Sequence, residues 1–175
     1  MEGEMTNEKI YHEFPWYLVL GVSLVGLMIY ILGAIILAGF GFVWIVPYLI
    51  FGFWVEWRVL KIGCPHCYYY NKLCCFGKGK VSAWLFKKGD PQKFVTDSFS
   101  WLDLVPDFLV SLIPIIGGII LLFIDFSVVR FVLLLLLAIL AFGVTGFIRS
   151  QIACKFCQQR LIGCPAEQLF SGANK

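Results

Sequence analysis

Six cysteines carry the chemistry open to this chain. Residues 64–74 read CPHCYYYNKLC and residues 154–164 read CKFCQQRLIGC, so Cys64, Cys67 and Cys74 are matched in spacing by Cys154, Cys157 and Cys164. Both phrases are C-x2-C-x6-C. A C-x2-C turn lets two thiolates reach one ion, and soft thiolate sets select zinc, iron–sulfur clusters or copper(I). One such pair is a weak signal, but a third cysteine at the same spacing, twice over, is a strong one. A metal saturated by protein thiolates is closed, and closed sites are structural rather than hydrolytic. No other catalytic constellation competes: there is no H-E-x-x-H, no serine–histidine pairing, and the histidines are His12 and His66. Neither phrase reads C-x-x-C-H, which excludes c-type haem.

The same thiols admit several assignments. Cys64, Cys67, Cys154 and Cys157 can form one tetrahedral zinc site from two knuckles. Four of the six can instead hold an iron–sulfur cluster, with Cys164-Pro165 like the C-P that closes some ferredoxin runs. The C-x2-C pairs can also act as redox dithiols. The doubled spacing resembles the binuclear zinc cluster of fungal transcription factors, in which two C-x2-C-x6-C phrases hold two zinc ions. That resemblance covers only these two stretches, and it also matches a basic residue in each spacer, Lys72 and Arg160. It implies that Cys64 and Cys154 bridge the metals, while Cys67, Cys74, Cys157 and Cys164 are terminal ligands. The family's short linker is replaced here by residues 75–153, and its DNA binding is not carried over. Cys75 breaks the match and is expected to be buried. His66 is expected to point away from the sulfurs, towards solvent or a partner, and Tyr68, Tyr69 and Tyr70 to anchor at a membrane interface.

The elements that must position these phrases are written in the hydropathy. The chain is 60% hydrophobic and 14% charged, against roughly 25% charged in a soluble domain. Residues 16–55, 108–124 and 131–148 contain no Asp, Glu, Lys, Arg or His. A bilayer span needs ~20 apolar residues, so the first block is two spans and the others one each. The acidic flank Glu2, Glu4, Glu8 and Glu13 does not resemble the basic start of a signal peptide, so the first span is expected to be retained. Turns are expected at residues 39–41 and 125–130, and a kink at Pro47. Without ionisable residues inside the spans, a pump, an ion channel or a proton-coupled carrier is disfavoured.

The chain therefore reads as an all-α integral membrane protein with four transmembrane helices. They form two repeated hairpins related by a pseudo-twofold axis along the membrane normal. The segments are an N-terminal segment (1–15), a first hairpin with its cysteine phrase (16–75), an interfacial loop (76–107), and a second hairpin with phrase and tail (108–175). In the loop, Lys78, Lys80, Trp84, Lys87 and Lys88 are expected to face lipid or a partner. The expected role is a structural or accessory subunit holding one or two zinc ions. Its partners would be the lipid bilayer, another protein of a membrane complex or further copies of itself, with no nucleic acid. An iron–sulfur electron-transfer subunit and a membrane thiol–disulfide oxidoreductase are the alternatives.

Of the fourteen Lys and Arg residues, only Arg130 falls on the side of the two turns. The positive-inside rule then places both termini, the loop and all cysteines on the cytoplasmic side of the cell membrane. That compartment is reducing and disfavours structural disulfides. Cysteine labelling of intact cells should accordingly leave Cys64 and Cys157 unmodified until the membrane is breached. Rapid labelling from outside would reverse the orientation.

Overall fold

The computed structural model describes residues 10–91 and 101–164. Glu2, Glu4 and Glu8 of the acidic flank, loop residues 92–100 with Lys93, Phe94 and Phe99, and Pro165 of the tail lie outside the described residues. The described chain is helical. Four stretches, Trp16–Phe40, Phe42–His66, Asp103–Ile124 and Val128–Ala153, are long and apolar enough to cross a membrane. This is a multi-pass membrane protein.

Helix α1 spans Trp16–Leu37 and α2 spans Ile45–Ile62, joined by two short 3-10 turns, Ala38–Phe40 and Phe42–Trp44. Between those turns Gly41 sits at φ 120°, a conformation that a side chain would oppose. The short helix α3 spans Lys78–Leu85 and α4 spans Trp101–Ile124. The second tight turn follows α4, where the Arg130 guanidinium donates to both the carbonyl and the carboxylate of Asp125, at 2.6 and 2.8 Å. Helix α5 spans Val128–Ala153. It is regular over Val128–Ala138, then passes through π turns at Ile139–Val144 and Ile148–Ala153. A last short helix, α6, spans Gln158–Ile162.

Helix α1 packs against α2, α4 and α5, and α4 packs against α2 and α5. The centre of the bundle is Ile29, Leu32 and Ile36 of α1 around Leu137 of α5, which is fully buried. Gly118 lets α4 approach Ile36 of α1 and Leu134 of α5, where a Cβ would lie 3.0 and 2.9 Å from their methyl carbons. Small residues at such contacts are how membrane helices gain packing, because lipid tails are as apolar as leucine. The outward faces stay apolar as well; Phe123, for example, is 89% exposed.

Proline placement departs from the sequence expectation. Pro47 is the third residue of α2, within the first turn, where its missing N–H would have had no intrahelical partner. It therefore lies in the first turn of α2, five residues into the span Phe42–His66. Pro114 is buried in the interior of α4. It frees the carbonyl four residues earlier, that of Val110. The Tyr48 hydroxyl of α2 donates to that carbonyl at 3.2 Å. Gly33 of α1 makes the room, since a Cβ there would fall onto the Tyr48 phenol and lie 3.1 Å from the Pro114 ring.

Tyr48→Phe should therefore cost about 1–2 kcal/mol by orphaning the Val110 carbonyl. Combining it with Pro114→Ala should recover much of the loss, because alanine supplies the missing N–H. Reversible unfolding in detergent checks both, and a double variant no better than Tyr48→Phe would break the pairing.

Candidate functional site

The C-x2-C pairs of the two phrases close the same backbone hydrogen bonds. After α2, residues Cys64–His66 make one 3-10 turn, and the Cys67 N–H donates to the Cys64 carbonyl at 3.3 Å. After α5, the Cys157 N–H donates to the Cys154 carbonyl, also at 3.3 Å. A second such turn follows each: Tyr70 N–H to Cys67 O at 3.0 Å, and Arg160 N–H to Cys157 O at 3.2 Å. The flanking arginines reach across the chain. Arg58 forks onto the Asp103 carbonyl and carboxylate, at 3.0 and 2.8 Å. Arg149 lies over the ring of Phe76, 5.7 Å from its centroid.

Both phrases lie at one end of the bundle and are stitched together. The Tyr69 hydroxyl donates to the Tyr11 carbonyl at 2.6 Å and accepts the Gln158 N–H at 3.0 Å. The Tyr68 N–H donates to the Gln159 side-chain oxygen at 2.7 Å. Gln159 is only 4% exposed and spends its side-chain N–H on the Gly163 carbonyl at 2.9 Å. The N-terminal segment threads between the phrases: Tyr11 N–H donates to Phe156 O at 3.1 Å, and Phe14 N–H to Leu73 O at 2.9 Å. Under these bonds Phe14, Val19, Tyr69, Cys75, Ile148 and Ala153 form a buried apolar cluster.

Several side chains do work that the sequence did not suggest. The three tyrosines make hydrogen bonds within the protein: Tyr69 is buried and so is no interfacial anchor, Tyr68 shares a hydrogen bond with His12 at 3.0 Å, and Tyr70 donates to the Phe86 carbonyl at 2.9 Å. The His66 ring hydrogen-bonds the Asp90 carbonyl at 2.9 Å, which ties the chain after α3 back to the first phrase. Helix α3 docks through its small residues. Ser82 donates to the Leu60 carbonyl at 3.1 Å, and a Cβ on Gly79 would fall onto the carbonyl oxygens of Tyr69 and Lys72. Lys80, Trp84, Lys87 and Lys88 are exposed, with Trp84 at 85%. Lys78 instead turns inward to Glu56 at 2.6 Å.

Cys75 is buried, as its mismatch suggested, and Cys154 is exposed; the other five cysteines lie between. Burial pushes the Cys67 thiol up to about 12, and the neighbouring Cys157, Cys64 and Cys74 add to the shift. Cys75 is likewise pushed up to about 12 by burial and then by Cys74, Cys154 and Cys157. Cys157 is raised, again chiefly by burial. Cys67 and Cys157, the second cysteines of the two phrases, are thus electrostatic neighbours. Among the described residues, however, no three His, Cys, Asp or Glu side chains converge so as to hold one metal ion.

No family model, curated protein or solved structure matches the chain. Its class rests on its own geometry: a small four-span membrane protein whose two three-cysteine phrases are sewn into one thiol-rich cap.

Tyr69→Phe keeps the ring packing and removes both hydrogen bonds of the stitch. It should cost about 1–3 kcal/mol for the groups left unsatisfied. Maleimide labelling of Cys157, measured under chelation, should accelerate, while that of the already exposed Cys154 stays nearly constant. An unchanged Cys157 rate would remove Tyr69 as the stitch.

Proposed function

We propose that the thiol cap is a metal site shared by the two halves of the chain, in a protein that acts as a structural or accessory subunit at the cytoplasmic face of a membrane. The observation that carries this reading is the stitching of the two phrases by the Tyr68–Gln159 and Gln158–Tyr69 hydrogen bonds, which join residues 91 and 89 positions apart. Matched turns at both C-x2-C pairs and the crossing contacts of Arg58 and Arg149 support reading the halves as equivalents about a pseudo-twofold axis.

The donors are Cys64, Cys67, Cys74, Cys154, Cys157 and Cys164, a soft set suited to zinc. Their thiols do not converge on one point, so loading would have to draw side chains of the cap inward. Each ligand must also lose its proton, so binding from the raised thiols releases protons and weakens as pH falls. The raised Cys67 and Cys157 thiols count against thiol–disulfide exchange, which needs a ready thiolate. The exposed Trp84, with Lys80, Lys87 and Lys88 around it, is the face offered to lipid or to a protein partner.

Elemental analysis of anaerobically purified protein tests the proposal. Wild-type protein should carry zinc, and Cys67→Ser and Cys157→Ser should each lose it from the whole site. Retention of about half the metal in either variant would give each phrase its own ion. Iron with sulfide and a visible absorption band would replace zinc with an iron–sulfur cluster, and a metal-free wild type would end the metal reading.

A further inference from the structure

A cavity of about 990 Å³ opens between the four spans, near the cysteine end. That is close to the top of the roughly 300–1,000 Å³ range of small-molecule sites. Its walls are mostly apolar, with Val25 and Ile29 from α1, Val55 from α2, Val110 from α4 and Phe142 from α5. Charge enters through four side chains at the cysteine end: Glu56, Lys78, Asp107 and Arg149. Lys78 pairs with Glu56, and Asp107 lies within electrostatic reach of Arg149 and Lys78. Two positive and two negative groups thus ring an apolar chamber.

The backbone of α5 is irregular along this wall. Cavity-lining Ala141 and Phe142 fall in the π turn Ile139–Val144, and Ile148, Arg149 and Ser150 in the π turn Ile148–Ala153. The Thr145 hydroxyl donates to the Leu140 carbonyl at 2.9 Å, supporting the first of them. Single π turns forgo regular helical hydrogen bonding and recur at functional sites. Here they lie where α5 faces the chamber.

We propose that this cavity binds a membrane lipid with a zwitterionic headgroup, its acyl chain between the helices and its headgroup among the four charges. The phosphate would face Arg149 and Lys78, and the ammonium would face Asp107 and Glu56. An apolar space of this size is not a favourable home for water, and acyl chains are the solvent at hand in a bilayer. The balanced charges select the headgroup: a purely anionic one would leave both carboxylates facing like charge. The inference rests on the membrane-spanning architecture and is independent of any metal in the cap.

Gly26 and Gly146 line the cavity, and a Cβ on either meets nothing within 4 Å, so both can be enlarged without disturbing packing. Full-length protein should be purified in mild detergent and its bound lipid quantified by mass spectrometry. Delipidated protein should then be titrated with phosphatidylethanolamine or phosphatidylglycerol of identical chains, following the thermal shift. Wild-type protein should carry lipid and favour phosphatidylethanolamine. Asp107→Asn should weaken that lipid about tenfold, the order of one charge-assisted contact, and erase the preference. Gly26→Trp and Gly146→Trp, each with unchanged circular dichroism, should lose the bound lipid. Lipid retained at full stoichiometry in both tryptophan variants would overturn the cavity as the site. Equal shifts with both lipids in the wild type would overturn the zwitterionic headgroup.

Discussion

The Tyr69 hydroxyl donates to the Tyr11 carbonyl and accepts the Gln158 N–H, while its ring is 2% exposed. Both partners are backbone groups from segments far apart in the chain, which also meet directly through the Tyr11 N–H and the Phe156 carbonyl. One belongs to the segment before α1, the other to the turn after α5. A buried backbone group without a partner costs as much as a lost hydrogen bond, so one phenol oxygen satisfies two such groups and fixes three segments together. Burial holds the phenol in its protonated, donating form by raising its pKa. Gln159 repeats the device on a smaller scale, joining Tyr68 to the end of α6. The relative position of the two cysteine phrases follows from these bonds.

Such bonds matter more here than in a water-soluble bundle of the same size. Helices in lipid gain no hydrophobic driving force from pairing, although each of the first two spans does bury one face, with Ile29, Leu32, Gly33 and Ile36 in α1 and Tyr48, Gly52 and Val55 in α2. What remains is close contact at small residues, repair of broken backbone hydrogen bonds, and polar contacts at the helix ends. The Tyr48 hydroxyl on the carbonyl freed by Pro114, in the space left by Gly33, combines the first two. The Arg58–Asp103 and Lys78–Glu56 pairs supply the third, joining α2 to α4 and to α3 at the cysteine end. Both pairs are partly exposed, so they contribute geometry more than energy.

What the sequence disclosed, and what it hid, follows from the range of each interaction. The four spans were legible because a bilayer imposes a length and a composition on consecutive residues. Gly41 was legible as a turn because positive φ is a property of one residue. The C-x2-C turns were legible because four residues close them. Tyr69 was misread, since Tyr68-Tyr69-Tyr70 has the composition of an interfacial belt and only the fold shows what each hydroxyl meets. The place of Pro47 in the first turn of α2 was hidden for lack of the helix boundary. The uncharged blocks ended where Glu56, Asp107 and Arg149 begin, so these residues read as flanks. All three lie at the same end of their helices, and that signal was present, but their facing one chamber depends on helix rotation.

The two phrases also show how far matched spacing can be trusted. Arg58 stands six residues before Cys64, and Arg149 five before Cys154. The first interval runs through regular α2 into a 3-10 turn, whereas the second is taken up by the π turn Ile148–Ala153. A π turn uses more residues per turn than an α turn and so rotates everything after it relative to an unbroken helix. Equal places in the sequence then need not become equal places in space. Cys154 emerges exposed on the rim of the cavity, while Cys64 stays half-buried behind α2. The bonds that join the phrases nonetheless sit beside their second cysteines, because Tyr68 follows Cys67 and Gln158 follows Cys157. The same irregular turns of α5 that line the chamber therefore also set where the second phrase begins.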